Sequence, residues 1–106
     1  MTTTIERSPQ RLTVRSGSTT ITLDKDANKA VMARKLLLWA RKPLERPLSD
    51  VARVTVDANV DRASGVELCS TMLVMNDGSA WALPHTDRKN ATAAADAARE
   101  FLGIAS

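Results

Sequence analysis

His85 is the one imidazole in the chain, and the spacing His85-Thr86-Asp87 puts a carboxylate two residues from it. Such a pair can orient a general base, but no nucleophile motif accompanies it. Ser70 is not framed by a Gly-x-Ser-x-Gly turn, and Cys69 lies inside an apolar run with no signature of a reactive thiolate. The fitting reading for Cys69 is a small buried hydrophobe. A single histidine excludes a centre built on paired imidazoles. Asp24 and Asp26 supply too few ligands for a calcium loop. The glycines Gly17, Gly65, Gly78 and Gly103 stand singly as turn residues, so neither a phosphate loop nor a dinucleotide fingerprint is present. These residues point to a non-enzymatic protein with no metal and no cofactor, and leave His85 as a loop residue before a helix.

The remaining chemistry is charge. Arg34, Lys35, Arg41, Lys42 and Arg46 flank the apolar run Leu36-Leu37-Leu38-Trp39. An apolar tip with a cationic rim fits an anionic membrane surface, where each basic residue contributes ~1 kcal/mol. Arg34, Lys35, Trp39, Arg41, Lys42 and Arg46 are therefore the candidate contacts to an anionic surface or a partner. The competing reading of the same residues is an alternating strand, with Leu and Trp inward and Arg and Lys solvated. Nucleic acid is disfavoured, because one Phe, two Trp and no Tyr leave few platforms for stacking bases.

The net charge of +3 is unevenly placed: residues 1–50 carry ten Lys/Arg against five Asp/Glu, and residues 51–106 carry five against seven. Such a dipole biases association with anionic surfaces. One cysteine cannot form an internal disulfide, which fits a reducing, cytoplasmic setting. The stretch from Thr2 to Arg15 is polar and offers no secretory apolar region, and the longest apolar run is far below the ~20 residues of a membrane helix.

The elements that must carry these residues are mostly strands. Residues 1–10 lack periodicity and read as a flexible tail, with a single domain over 11–105. Leu12 and Val14, then Ile21 and Leu23, alternate on either side of Ser16-Gly17-Ser18, which makes a hairpin. Ala30 to Lys42 is ambiguous on its residues alone: its propensities favour helix, yet its apolar positions form no single helical stripe. A continuing meander favours strand. Leu48-Ser49-Asp50 reads as one turn. Ala52, Val54 and Val56 alternate against Arg53, Thr55 and Asp57 in a half-buried strand, and Asn59 to Gly65 is a polar loop. Val66 to Met75 is the long central strand. Asn76-Asp77-Gly78 turns it into Ala80 to Leu83, where Pro84 ends the pairing. Thr86 or Asp87 caps a final helix whose stripe of Ala91, Ala94, Ala95, Ala98, Phe101 and Leu102 predicts close packing on a sheet, with Gly103 as its stop.

Pro47-Leu48-Ser49-Asp50-Val51 leading into a strand, the long apolar strand, the Asp77-Gly78 turn and a closing helix ending in Phe101-Leu102 resemble the bacterial pleckstrin-homology-like domains. The resemblance covers most of residues 11–103. It implies a mainly β fold: a partly open barrel of about seven antiparallel strands in two near-orthogonal sheets, capped by a C-terminal helix at about 87–102. It also requires strands between Ala30 and Arg46. Phosphoinositide-binding members carry a basic pair on the second strand where this chain has Thr20-Ile21-Thr22-Leu23, and the closing helix has Phe101 where eukaryotic members have tryptophan. The expected function is an interaction module that binds a protein partner or itself, through an exposed apolar patch around Trp39 or a free sheet edge. The alternative is peripheral binding to anionic lipid at the inner membrane surface through residues 34–46.

Overall fold

The computed structural model describes residues 3–36, 39–40 and 43–104, with residues 35–36 and 39–40 described by backbone only. The described residues form two antiparallel sheets and one helix. The first sheet runs β1 (Thr3–Arg7), β2 (Arg11–Ser16), β3 (Thr19–Asp24), β4 (Lys29–Leu36), β5 (Trp39–Ala40), with β6 (Leu44–Pro47) also paired to β4. A single 3-10 turn at Leu48–Asp50 leads to the second sheet, β7 (Val51–Val60), β8 (Glu67–Met75) and β9 (Ala80–Ala82). The helix α1 (Arg88–Leu102) closes the chain. Among the described residues no strand pairing joins the two sheets, so the framework is partly open.

Each sheet presents one apolar face. Leu12 and Val14 on β2, Ile21 and Leu23 on β3, and Ala30 and Met32 on β4 are all buried, as their alternation predicts. They meet Val54, Leu73, Met75 and Trp81 of the second sheet in one core. Met32 and Ala30 settle the ambiguous segment: β4 puts every second residue inward, a spacing a helix could not satisfy. Leu37, Leu38, Arg41 and Lys42 lie outside the described residues.

The helix is built as its stripe predicts. The Asp87 carboxylate accepts from the Asn90 backbone N–H at 2.8 Å, and Gly103 ends the helix at φ 71. Ala91, Ala94, Ala95 and Ala98 are buried against β7 and β8, where methyl side chains allow close approach of helix to sheet. Two of the four buried hydroxyl residues bond to backbone carbonyls here: Thr71 Oγ1 donates to Ala91 at 2.8 Å, and Ser70 Oγ to Leu83 at 2.6 Å.

Three local expectations are corrected. The tail expected over residues 1–10 is instead a strand over Thr3–Arg7, paired residue for residue with β2, and Arg7 reaches Glu100 of the helix at 3.1 Å. Its sequence signal was one apolar residue, Ile5, which is too little for a periodicity. The alternation over Ala52, Val54 and Val56 is broken by a bulge: Val51 pairs with Met75 and Arg53 with Val74, leaving Ala52 extra and exposed. The bulge lets both Val51 and Val54, three residues apart, face the core. The strand also runs on to Val60, into what reads as a polar loop from Asn59.

Candidate functional site

One end of the gap between the sheets opens into a cavity of about 460 Å³. The β2–β3 turn contributes Ser18 and Thr19, the end of β4 contributes Arg34, and β7 and β8 contribute Asp57 and Ser70. His85, on the segment between β9 and α1, completes the rim. Thr19 pairs directly with Arg34, so the backbone ladder sets the basic group against the hydroxyl-bearing turn. Arg34, Asp57 and His85 are exposed, and among the described residues none of their side chains forms a hydrogen bond or ion pair. The side chain of Ser70 is directed to the Leu83 carbonyl, so its hydroxyl is engaged in holding β8 to the segment after β9.

The candidate basic residues separate into groups. Arg34, Lys35 and Trp39 share one ribbon, since Lys35 pairs with Ala40 and Leu36 with Trp39 across β4 and β5. Arg46 is elsewhere: it pairs with Ala30, four residues back along β4 and about 13 Å from Arg34. Its guanidinium donates from Nε to Asp50 at 3.0 Å and reaches Asp77 at 3.3 Å. The hydrogen bond to Asp50 comes first among the causes that hold its pKa above the ordinary value. Arg46 therefore ties β6, the 3-10 turn and the β8–β9 turn together, and its charge is balanced within the protein. Arg41 and Lys42 lie outside the described residues.

Cys69 is fully buried, and burial pushes its thiol pKa up, as expected for a packed side chain. No group of three His, Cys, Asp or Glu side chains converges among the described residues. Among the described residues no helix is long and apolar enough to cross a membrane.

A feature that the sequence reading missed lies at the tip of the β7–β8 hairpin. Asp57 to Val60 and Asp61 to Glu67 are all exposed, so this hairpin runs beyond the core. Val60 is 63% and Val66 54% exposed, on opposite faces of the tip. The available signal was two valines bracketing an otherwise polar segment, which alternation alone assigns to neither core nor loop.

Among the described residues, four side-chain carboxylates have pKa values below their ordinary 3.8 (Asp) or 4.5 (Glu). Asp24 is held down by the Ala27 backbone N–H and then Arg11, and Asp77 by the Ser79 hydroxyl, the Ser79 backbone N–H and Arg46. Glu67 is held down by Arg88, which donates to both its oxygens at 2.9 and 2.7 Å, and Glu100 by Arg7. A depressed folded pKa contributes stability above the unfolded value and loses it as pH falls through the folded one. The unfolding midpoint should therefore be flat from neutral pH to about pH 5 and fall below about pH 4. Asp77→Asn should reduce that slope. Thermal melts across this range check both outcomes, and added salt should flatten the profile because these groups are at the surface.

No protein-family model matches the chain, and no curated protein or solved structure matches it.

Proposed function

We propose that this protein is a non-enzymatic interaction module that binds protein partners, itself included, through the β7–β8 hairpin. One observation carries the reading: the hairpin extends past the core and presents Val60 and Val66 to solvent, while the large apolar side chains of β7 and β8 nearer the helix are packed. Exposed apolar side chains on a projecting ribbon gain most when another surface removes them from water. The two-sheet framework with its closing helix also supports the resemblance to bacterial pleckstrin-homology-like domains. A photo-crosslinking amino acid at Val60 or Val66 of the full chain, activated in cells, tests the reading. Discrete adducts are expected there and not at Arg53, an exposed position near the start of the same strand. Adduct formation no stronger than at Arg53 would remove the reading.

A second reading is peripheral binding to an anionic membrane through residues 34–46. It is favoured by the exposed Arg34 on the same ribbon as Lys35 and Trp39. Co-sedimentation with phosphatidylserine vesicles tests it: salt-sensitive binding lost on charge reversal at Arg41 and Lys42 supports it, and no binding to such vesicles at low salt ends it. Arg46 is the poorest member of that surface, because Asp50 and Asp77 already hold it.

A further inference from the structure

The outer edge of β7 is protected in its first half and open in its second. β7 pairs with β8 alone, so its other side carries backbone groups with no strand beside them among the described residues. The direction of those groups follows from two hydrogen bonds. Asp61 donates its N–H inward to Val66, which places the odd-numbered residues of β7 toward β8. The Val54 carbonyl points outward, where Arg99 of the helix covers it from Nε at 3.0 Å and Nη2 at 2.8 Å. The bulge at Ala52 and this guanidinium together keep another strand from pairing over residues 51–54. Among the described residues no such device guards the stretch from Val56 to Val60. It contains no lysine and no proline, it is exposed from Asp57 onward, and Val56, Ala58 and Val60 direct their N–H and C=O groups outward.

Other described edges are poorer templates. β6 is flanked by Pro43 and ends at Pro47, β9 is three residues long with Pro84 soon after it, and the last residue of β1, Arg7, is engaged by the helix.

The sequence of the open edge selects its occupant. Val56-Asp57-Ala58-Asn59-Val60 reads nearly the same in both directions about Ala58. We propose that this edge pairs antiparallel with the same edge of a second copy of the chain, across a two-fold axis at Ala58. The inference rests on the interaction-module reading and names its partner. In this register Val56 lies opposite the second copy's Val60, and Ala58 opposite its own mate. All are outward-pointing residues, so each pair exchanges both N–H···O bonds. On one face the valines meet across the axis. On the other, Asp57 faces Asn59, and Thr55 faces Asp61, so each carboxylate meets a donor. Moving the axis one residue either way loses this. An axis at Asp57 sets that carboxylate against itself, and an axis at Asn59 sets Asp57 against Asp61; like charges directly opposite are unfavourable. The ladder ends where Val54 would pair with Arg62, because Arg99 already occupies the Val54 carbonyl. The product is an isologous dimer with a continuous sheet across the two-fold.

The test measures mass against concentration by light scattering, together with oxidation of single-cysteine variants. The wild-type mass should rise toward twice the monomer. Val60→Lys should weaken association by about tenfold or more while leaving the circular dichroism spectrum unchanged, since the side chain is mostly exposed in the monomer. Ala58→Cys should form a reducible dimer readily, because paired Cα atoms ~5.5 Å apart suit a disulfide. Asn59→Cys should do so about tenfold more slowly, since its mate lies across from Asp57. Both cysteine variants carry Cys69→Ala as well, because Cys69 lies directly opposite Ala58 across β7 and β8 and would otherwise capture the new thiol within the chain. A monomer mass at every concentration, with Ala58→Cys oxidising no faster than Asn59→Cys, overturns the proposal. So does a dimer that crosslinks best at Asn59. Crosslinker adducts at Val60 containing only other proteins overturn self-pairing and leave the module reading intact, whereas the absence of adducts removes that reading.

Discussion

Phe101→Ala is expected to lower the free energy of unfolding by about 3–5 kcal/mol, the range for removing a buried aromatic ring. Phe101 is 4% exposed and belongs to the central core, at the end of α1 where the helix meets the start of β7. The Lys25 ammonium sits 4.5 Å from the ring centroid, so the β3–β4 turn is held to the helix end through this one side chain. A hollow of about 460 Å³ beside it is lined by Leu48, Val51 and Leu102. Truncation would enlarge that hollow instead of letting neighbours collapse into the gap. Urea unfolding should show a lower midpoint with an unchanged slope. Phe101→Leu separates the two contributions, keeping most of the apolar volume and losing the ring, and should cost less than about 1.5 kcal/mol. A loss below about 1 kcal/mol for Phe101→Ala would contradict the place of this ring in the core at the helix end.

Ala95→Leu should destabilise by about 1–3 kcal/mol, although leucine is nearly as good a helix former as alanine. The cost arises at the interface. Ala95 is 0% exposed, and the helix lies against β7 and β8 with Ala91, Ala94 and Ala98 on the same stripe. The void of about 10 Å³ that does lie against this stripe, between Val14, Leu83, Ala94 and Ala98, does not border Ala95. The helix must therefore shift, which lengthens the bond from Thr71 to Ala91 and the two from Arg99 to Val54. A loss of about 4–8 °C in melting temperature per kcal/mol is expected. Thr92→Leu, on the exposed face of the same helix, should stay within about 0.5 kcal/mol of wild type. An Ala95→Leu protein that melts at or above the wild-type temperature would contradict the close helix–sheet packing. Displacing Arg99 would also uncover the Val54 carbonyl, so Ala95→Leu should extend the pairing-competent edge of β7 as well as weaken the fold.

The two predictions draw on different kinds of information. The alanine stripe, the Asp87 cap and the Gly103 stop are relations between residues a few positions apart, and their meaning is set by the helical repeat alone. The alternation of Leu12, Val14, Ile21 and Leu23 is equally local, because a strand turns every second residue to the same side. Those elements were legible before any coordinates. The basic run at 34–46 was legible as charge but not as a site, because charge reports nothing about partners distant in sequence. Arg46 illustrates the difference. Its pairing with Asp50 is close in the chain, whereas Asp77 and Ser79 reach it only because the β8–β9 turn folds back beside β6.

Composition and periodicity by themselves determined the strands around Leu12, around Ile21 and over residues 66–75, the C-terminal amphipathic helix, a buried Cys69 and the turns at Gly17 and Gly78, and left Ala30 to Lys42 open between helix and strand. These are outcomes of side-chain volume, backbone freedom and repeat length. Tertiary structure alone decided that residues 3–7 form a strand, that Ala52 is bulged out of β7, and that Arg99 covers Val54 across 45 residues of chain. It also decided that Arg34, Asp57 and His85 share a rim and that, among the described residues, no strand lies beside the outer edge of Val56 to Val60. Each of these depends on which backbone groups find a partner after the sheets pack. That is a property of distant segments meeting, and no short window of residues encodes it.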